Sequence, residues 1–393
     1  METVKLGLLI KKTKVARCGE HSYPVLSITK QDGIIMQSEK FKKRIASADT
    51  SDYKIIPRGK LVQGIHIDEG NFGIQDIVDN GIVSPAYGVW NVNDGLVIPK
   101  YLEMVLRSPK SIEFYRSKLT GTVNRRGHMS DADFLSMDIP LPDRDTQSKI
   151  LKTMKQTTSV LYSRQQQLAK LDELIKARFV EMFGDVISNS NLWPICKFSE
   201  ITSSRLGKML DAKQQKGVHR YPYLANFNVQ WFRFELKTLN SMDFNESDRI
   251  EFELHDGDLL VCEGGEIGRC AVWHNNVQPC YFQKALHRVR CNKDFILPDF
   301  LAWWFKYNCD HGGFSAIEGA KATIAHLPGA KLKNLDVCVP PLPLQNQFAA
   351  FVAEVDKSKF IVLSKPICFF FSKYGNITIS IWIVIMKIAT KLF

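Results

Sequence analysis

Between residues 143 and 183 apolar positions recur every seven residues, at Met154, Leu161, Leu168, Ile175 and Met182. Ile150 and Leu171 partly fill the neighbouring seam. A heptad sustained over this length predicts one long helix that packs along a partner, because an apolar stripe of that period stays on one side of a supercoiled rod. Pro140 and Pro142 close the preceding segment. Asp143 or Asp145 can cap the free amides of the first turn, and no Gly or Pro follows until Gly184, a C′ residue. At about 1.5 Å per residue, about 40 residues make a rod of roughly 60 Å. Lys152, Lys155, Arg164, Lys170, Lys176 and Arg178 are expected on the opposite, solvated face.

The chain on either side has a different texture. Residues 1–139 hold short strand-like runs, YPVLSITK, YKIIPRGKLVQ and GIVSPAYGVWNV, then a helix pair over 100–118 broken at Pro109. Residues 186–339 repeat that grammar, with strands in RYPYLANFNVQWFRF, GDLLVCEGG and RCAVW and a helix in PDFLAWWFKYN. Strands and helices do not alternate regularly, so the class is α+β rather than a parallel α/β sheet.

The resemblance between the two regions is collinear. A shift of 198 positions places Tyr221-Pro222 on Tyr23-Pro24, Leu224 on Leu26, Gly257 on Gly59, Leu259 on Leu61 and Gly319 on Gly121. It also places Asp336 on Asp138, Pro340 on Pro142 and Gln345 on Gln147, while near the middle a shift of 199 places Pro298 on Pro99 and Leu301 on Leu102. The order predicts two copies of one unit, each a globular domain followed by a helix that begins at a proline step. The second helix, 340–364, carries Phe348, Val352, Val355 and Val362 on its seam and is expected to stop before Pro366. Being shorter than the first, it is expected to leave Leu171, Ile175, Phe179 and Met182 without a partner. The apolar tail, 365–393, is interrupted by Lys365, Lys373 and Lys387, too often for a membrane span, and reads best as a shifted frame or a rearranged gene end.

Composition narrows the function. The 393 residues are 45% hydrophobic with a net charge of +11, which suits two or three globular domains and a polyanionic partner. Nine cysteines without a CxxC pair suit a reducing, cytoplasmic setting and exclude a zinc ribbon. There is no GxxxxGK[ST] loop and no N-P-P-Y-like or D-P-P-Y-like motif. The glycines in Cys262–Cys270, CEGGEIGRC, have the wrong spacing for a phosphate cradle and read as a turn needing positive φ at Gly264, Gly265 or Gly268. His128, His287 and His326 stand apart, and no catalytic constellation, metal site or cofactor is expected.

Candidate nucleic-acid contacts lie in basic loops interleaved with Asn, Gln and Thr. They are Lys30; Lys42, Lys43 and Arg44; Asn124, Arg125 and Arg126; Lys208, Lys213, Lys216, Arg220 and Asn226; and Lys321 and Thr323. Lys and Arg suit phosphates, and Arg, Lys, Asn and Gln can read base edges. Lys208, Lys213 and Lys216 are expected to be exposed phosphate contacts.

The proline step with its long helix ending ARFVEMFGD, the run RYPYLANFNVQWFRF…GDLLVCEGGEIGRCAVW and the segment PPLPLQNQFAAFVAEVDKSK together resemble the specificity subunit of type I restriction–modification systems, over nearly all of residues 1–362. The resemblance implies two target-recognition domains separated by long helices in an antiparallel coiled coil, a pseudo-twofold internal repeat. It implies that each domain reads half of a split target in double-stranded DNA. The helices would dock two modification subunits, which bring S-adenosylmethionine and methylate adenine, and ATP-dependent restriction subunits join separately. The chain itself would catalyse nothing. The docking seam would be Ile150, Met154, Leu161, Leu168, Leu171, Ile175, Phe348, Val352 and Val355. Competing readings are the recognition module of a restriction–methylation fusion and a coiled-coil scaffold with no DNA role.

Overall fold

The computed structural model describes residues 2–30, 32–40, 49–119, 129–211, 215, 217–315 and 326–374. The described residues divide into two compact units: one holds those up to Gln165 together with Phe369–Tyr374, the other those between Gln166 and Cys368. Both boundaries fall inside long helices, Arg144–Phe183 and Leu342–Tyr374.

In the first unit the largest sheet has four antiparallel strands in the order Ile10–Lys12, Gly88–Val92, Leu61–Gln63, Phe72–Ile74. Helices Pro99–Leu106 and Pro109–Lys118 each begin with proline, whose fixed φ suits a first helical position and whose missing N–H is not needed there. They pack against the sheet through Leu102, Leu106 and Tyr115, which meet Leu61, Phe72, Trp90 and Phe134 in one buried cluster. The hairpin Leu26–Thr29/Gly33–Met36 and the pair Lys54–Pro57/Asn80–Val83 enclose a smaller core around Leu26, Ile56 and Val83. The unit is closed by Thr3–Lys5 against Asp138–Pro140, with an ion pair of 2.8 Å between Lys5 and Asp138.

In the second unit the four-stranded sheet runs Thr202–Leu206, Leu286–Cys291, Leu259–Cys262, Cys270–Val272. Helix Pro298–Asp310 packs Phe300, Leu301, Trp304 and Phe305 into its core. A second sheet, Asn240–Asp243, Arg220–Leu224, Tyr281–Phe282, covers a core around Phe244, Trp273 and Phe282. The unit is closed by Ile195–Lys197 against Asp336–Cys338, with Lys197 and Asp336 paired at 2.6 Å.

One buried glutamine anchors the start of each long helix. Gln147 accepts the Ile98 amide at 2.8 Å and donates to the Pro142 carbonyl at 2.8 Å. Gln345 accepts the Leu297 amide at 2.8 Å and donates to the carbonyls of Phe295 at 2.9 Å and Pro340 at 2.7 Å. Both side chains are fully buried.

The first long helix starts at the Asp143 cap, whose Oδ1 accepts the Thr146 amide at 2.8 Å; that hydrogen bond also holds the Asp143 carboxyl below the usual carboxylate range. It ends at Gly184, φ +73°, a conformation only glycine adopts without strain. Gln147, Ile150, Met154, Thr157, Leu161, Arg164, Leu168, Leu171, Ile175, Arg178 and Met182 are all buried or half-buried, alternating three and four apart, which is the heptad seam. Arg164 and Arg178 therefore sit on the seam rather than on the solvated face. A long aliphatic stem can lie along apolar neighbours while its head reaches out, and the Arg178 guanidinium lies 5.8 Å over the Phe351 ring.

Two expectations for the second long helix are corrected. It continues past 364 to Tyr374 with Pro366 inside it. A proline removes one hydrogen bond and kinks a helix, but flanking turns can carry the helix through. Nor are Ile175 and Phe179 left without a partner; both are almost fully buried. Within the second unit the two helices run in opposite directions: Phe183 meets Phe348 at 5.5 Å, Arg178 lies over Phe351 and Asp172 pairs with Lys359 at 2.8 Å. The start of the second helix thus covers the end of the first. Lys359, on the seam, also holds Asp356 at 2.9 Å. Burial works against its charge, but the two carboxylates outweigh that and raise its pKa above the ordinary lysine value.

Candidate nucleic-acid interface

Of the nominated contact residues, Lys42, Lys43, Arg44, Asn124, Arg125, Arg126, Lys213, Lys216, Lys321 and Thr323 lie outside the described residues. The other four show how the loops are rooted.

Lys30 is exposed at the tip of the hairpin Leu26–Thr29/Gly33–Met36. Its carbonyl accepts from Arg107 Nη2 at 2.8 Å, and Arg107 is itself held by Glu103 at 3.2 Å. Glu103 is buried and also accepts the Ile74 amide and Lys100 Nζ, both at 3.0 Å. A carboxylate with three donors can stay charged out of water, so this hub pins the hairpin tip to the helix and sheet below.

Lys208 is not the exposed contact expected. It is 9% exposed, its Nζ donates to the Asp243 carbonyl at 3.0 Å and to the Asp248 carboxylate, and it lies 5.3 Å over the Phe244 ring. The acidic positions that capture it lie some 35 and 40 residues further along the chain, and no local pattern shows them. Arg220 remains exposed at the head of its strand, donating at 3.2 Å to the Ser241 carbonyl.

Asn226, nominated as a nucleic-acid contact, uses its amide inside the protein. Nδ2 donates to the Gly264 carbonyl at 2.8 Å, and Oδ1 accepts from Arg269. It supports the turn between Leu259–Cys262 and Cys270–Val272, where Gly265 (φ +85°) and Gly268 (φ +75°), but not Gly264, have positive φ. Glu266 accepts from Trp231 Nε1 at 2.7 Å. The turn also carries the chain at His326 and Leu327: Gly264 bridges His326, and the Leu327 amide donates to the Glu263 carbonyl at 2.7 Å. The exposed Phe227 stands beside it.

His287 is buried under this chain crossing, its Nε2 3.0 Å from the Leu327 carbonyl. Burial lowers its pKa below the ordinary 6.5, with the Leu327 contact and Glu263 favouring the charge and Lys333 opposing it. On acidification the unfolded chain takes up this proton first. The contribution of His287 to stability is therefore complete above pH 6.5 and lost as pH falls below it. His287→Gln, which keeps a neutral donor, should flatten the dependence of Tm on pH in that range; an unchanged dependence would assign the acid loss elsewhere.

Along the second half of the first long helix, Lys176, Phe179 and Val180 face Trp303, Lys306, Tyr307 and Asp310 across an open groove of about 790 Å³. Lys176 and Asp310 pair across it at 3.0 Å, and Val180 and nearby Leu174 are exposed. Among the described residues no group of His, Cys, Asp and Glu could hold a metal ion, and no helix is long and apolar enough to cross a membrane.

No protein-family profile matches the chain. Solved structures do. A chain from a study of complex assembly and conformational transition of the type I R-M system aligns with a TM-score of 0.57 at 15% identity, over 92% of this chain and 91% of that one. The type I restriction–modification system S subunit from M. genitalium aligns with a TM-score of 0.51 at 14% identity, over 100% of this chain and 96% of that one. The fold is therefore shared with type I restriction–modification specificity-subunit structures over almost the whole length.

Proposed function

We propose that the chain is the specificity subunit of a type I restriction–modification system, a DNA-reading component without chemistry of its own. The observation that supports this is a set of features present in both units. Each has a four-stranded antiparallel sheet, a helix opened by proline, a two-stranded closure fixed by a Lys–Asp pair, and a buried glutamine that anchors the following long helix. This supports a duplicated reader, one copy per half of a split duplex target. The seam from Gln147 to Met182, partnered in the second unit by Phe348, Val352 and Val355, supports an antiparallel coiled coil acting as spacer. The exposed flank of that helix pair and the groove beside it are surfaces on which modification subunits can dock, bringing S-adenosylmethionine for adenine methylation; ATP-dependent restriction subunits would join that assembly.

Exchanging residues 1–139 for the same region of a relative should change one half of the DNA target and leave the other, read by selecting from a randomised duplex library. A change in both halves, or in neither, contradicts the two-reader model.

A further inference from the structure

In the first unit the segment 12–18 runs from strand Gly88–Val92 to strand Lys54–Pro57 and is laced to both through its backbone. Lys12 lies opposite Trp90, and the Thr13 amide donates to the Val89 carbonyl at 3.0 Å. Further on, the Ile55 amide donates to the Ala16 carbonyl at 2.9 Å, Arg17 is bridged to Lys54, and the Cys18 amide donates to the Tyr53 carbonyl at 2.8 Å. This ordered backbone carries four cations, Lys12, Lys14 and Arg17 exposed and Lys54 half-buried. Lys12 lies 5.6 Å over the Trp90 ring and pairs with Asp131, while Arg17 pairs with Asp52. Both pairs are open to water, and such pairs come apart at little cost. Lys14 and Lys54 have no carboxylate partner among the described residues, and Lys54 Nζ donates only to the Tyr87 carbonyl, at 2.5 Å. The four cations thus outnumber their carboxylates by two. Burial, with the charges of Lys12 and Arg17 beside it, holds the Lys54 ammonium below the ordinary lysine range. Like charges crowded on an ordered backbone work against the fold, and a polyanion laid along them relieves the repulsion. Cations drawn out along a chain segment, rather than closed around one point, suit a row of phosphates.

We propose that Lys12, Lys14, Arg17 and Lys54 form a surface of the first unit that holds the phosphate backbone of a DNA duplex without reading its bases. The proposal rests on the DNA-reading role proposed above. None of the four lies in the loops that the sequence nominated. Each cation that meets a phosphate releases condensed counterions, so its contribution is read in the salt dependence of binding and is the same for every sequence.

The test uses the full-length chain, a duplex enriched from a randomised library and a scrambled duplex, each titrated over a range of salt. Lys14→Gln and Lys54→Met should each weaken binding equally on both duplexes and lower the slope of log K against log salt by about 0.9, and together by about 1.8. Lys54→Met should also leave Tm unchanged or higher, because it removes a charge that its neighbours oppose. If that variant does not fold, Lys14→Gln carries the test, since Lys14 is exposed. Lys110→Gln takes the same charge from an exposed position in helix Pro109–Lys118 and should leave the slope unchanged. An equal fall in slope for Lys110→Gln would make the effect one of net charge and overturn the proposal. An unchanged slope in folded Lys14→Gln and Lys54→Met overturns it too, while leaving the DNA-reading role standing. Lost preference for the enriched duplex at an unchanged slope would assign these residues to base reading and equally overturn it. A wild-type chain that binds neither duplex overturns the DNA-reading role and this surface with it.

Discussion

Phe348→Ala is expected to destabilise the second unit by about 3–5 kcal/mol, the range for deleting a buried aromatic side chain from a well-packed core. Phe348 is fully buried at the start of the second long helix, with ring centroids 5.4 Å from Phe179, 5.5 Å from Phe183 and 6.1 Å from Trp303. It is therefore the place where both long helices and helix Pro298–Asp310 meet. Truncation opens a void walled by rings that are braced on one another and on Phe300, so the site has little room to collapse. Urea unfolding of the full chain should show the loss in the transition reporting on the second unit. A loss below about 1 kcal/mol would mean that the two helices separate at little cost, and the coiled-coil reading would fail with it.

Gln345→Leu is the second large effect. The side chain meets one backbone donor and two backbone acceptors at a fully buried position. Leucine fills most of the volume and satisfies none of them. A buried polar group left unpaired costs about 1–3 kcal/mol, so three together should cost about 3 kcal/mol or more. Gln147→Leu strips the Ile98 amide and the Pro142 carbonyl in the first unit and should cost less, because fewer groups are stranded. Amide hydrogen exchange separates the two cases: faster exchange at Leu297 for the first variant and at Ile98 for the second. Equal exchange at both sites in both variants would contradict independent anchoring.

These residues also show what could be read from the chain alone. Met154, Leu161, Leu168, Ile175 and Met182 announced the long helix because a heptad is a local pattern, visible without knowing the partner. Gln147 and Gln345 were visible as a matched pair, but not their work, since their burial and their partners Ile98, Leu297 and Phe295 come from packing with distant segments. Lys208 misled for the same reason. A lysine beside glycine in a polar run looks solvated until Asp243 and Asp248 arrive from further along the chain. Arg178 was placed on the solvated face because charge was weighed above position; its place in the three-four alternation was the better guide. The antiparallel direction that the resemblance implies already sets the start of the second helix against the end of the first, so the expectation of unpartnered Ile175 and Phe179 conflicted with it.

The closures Thr3–Lys5/Asp138–Pro140 and Ile195–Lys197/Asp336–Cys338 have a consequence for inheritance. Each brings the two ends of a globular unit side by side, matched residue against residue, with the Leu141 amide reaching back to the Glu2 carbonyl and the Val339 amide to that of Pro194. A gene segment encoding what lies between such ends can be exchanged for another without moving the points where the chain enters and leaves, provided the newcomer ends in the same short strands. Two crossovers, one at each strand of a closure, would suffice to exchange a globular unit and leave the helices that follow in place. In a lineage under pressure to change what it binds, that geometry favours wholesale replacement of a unit over its slow revision.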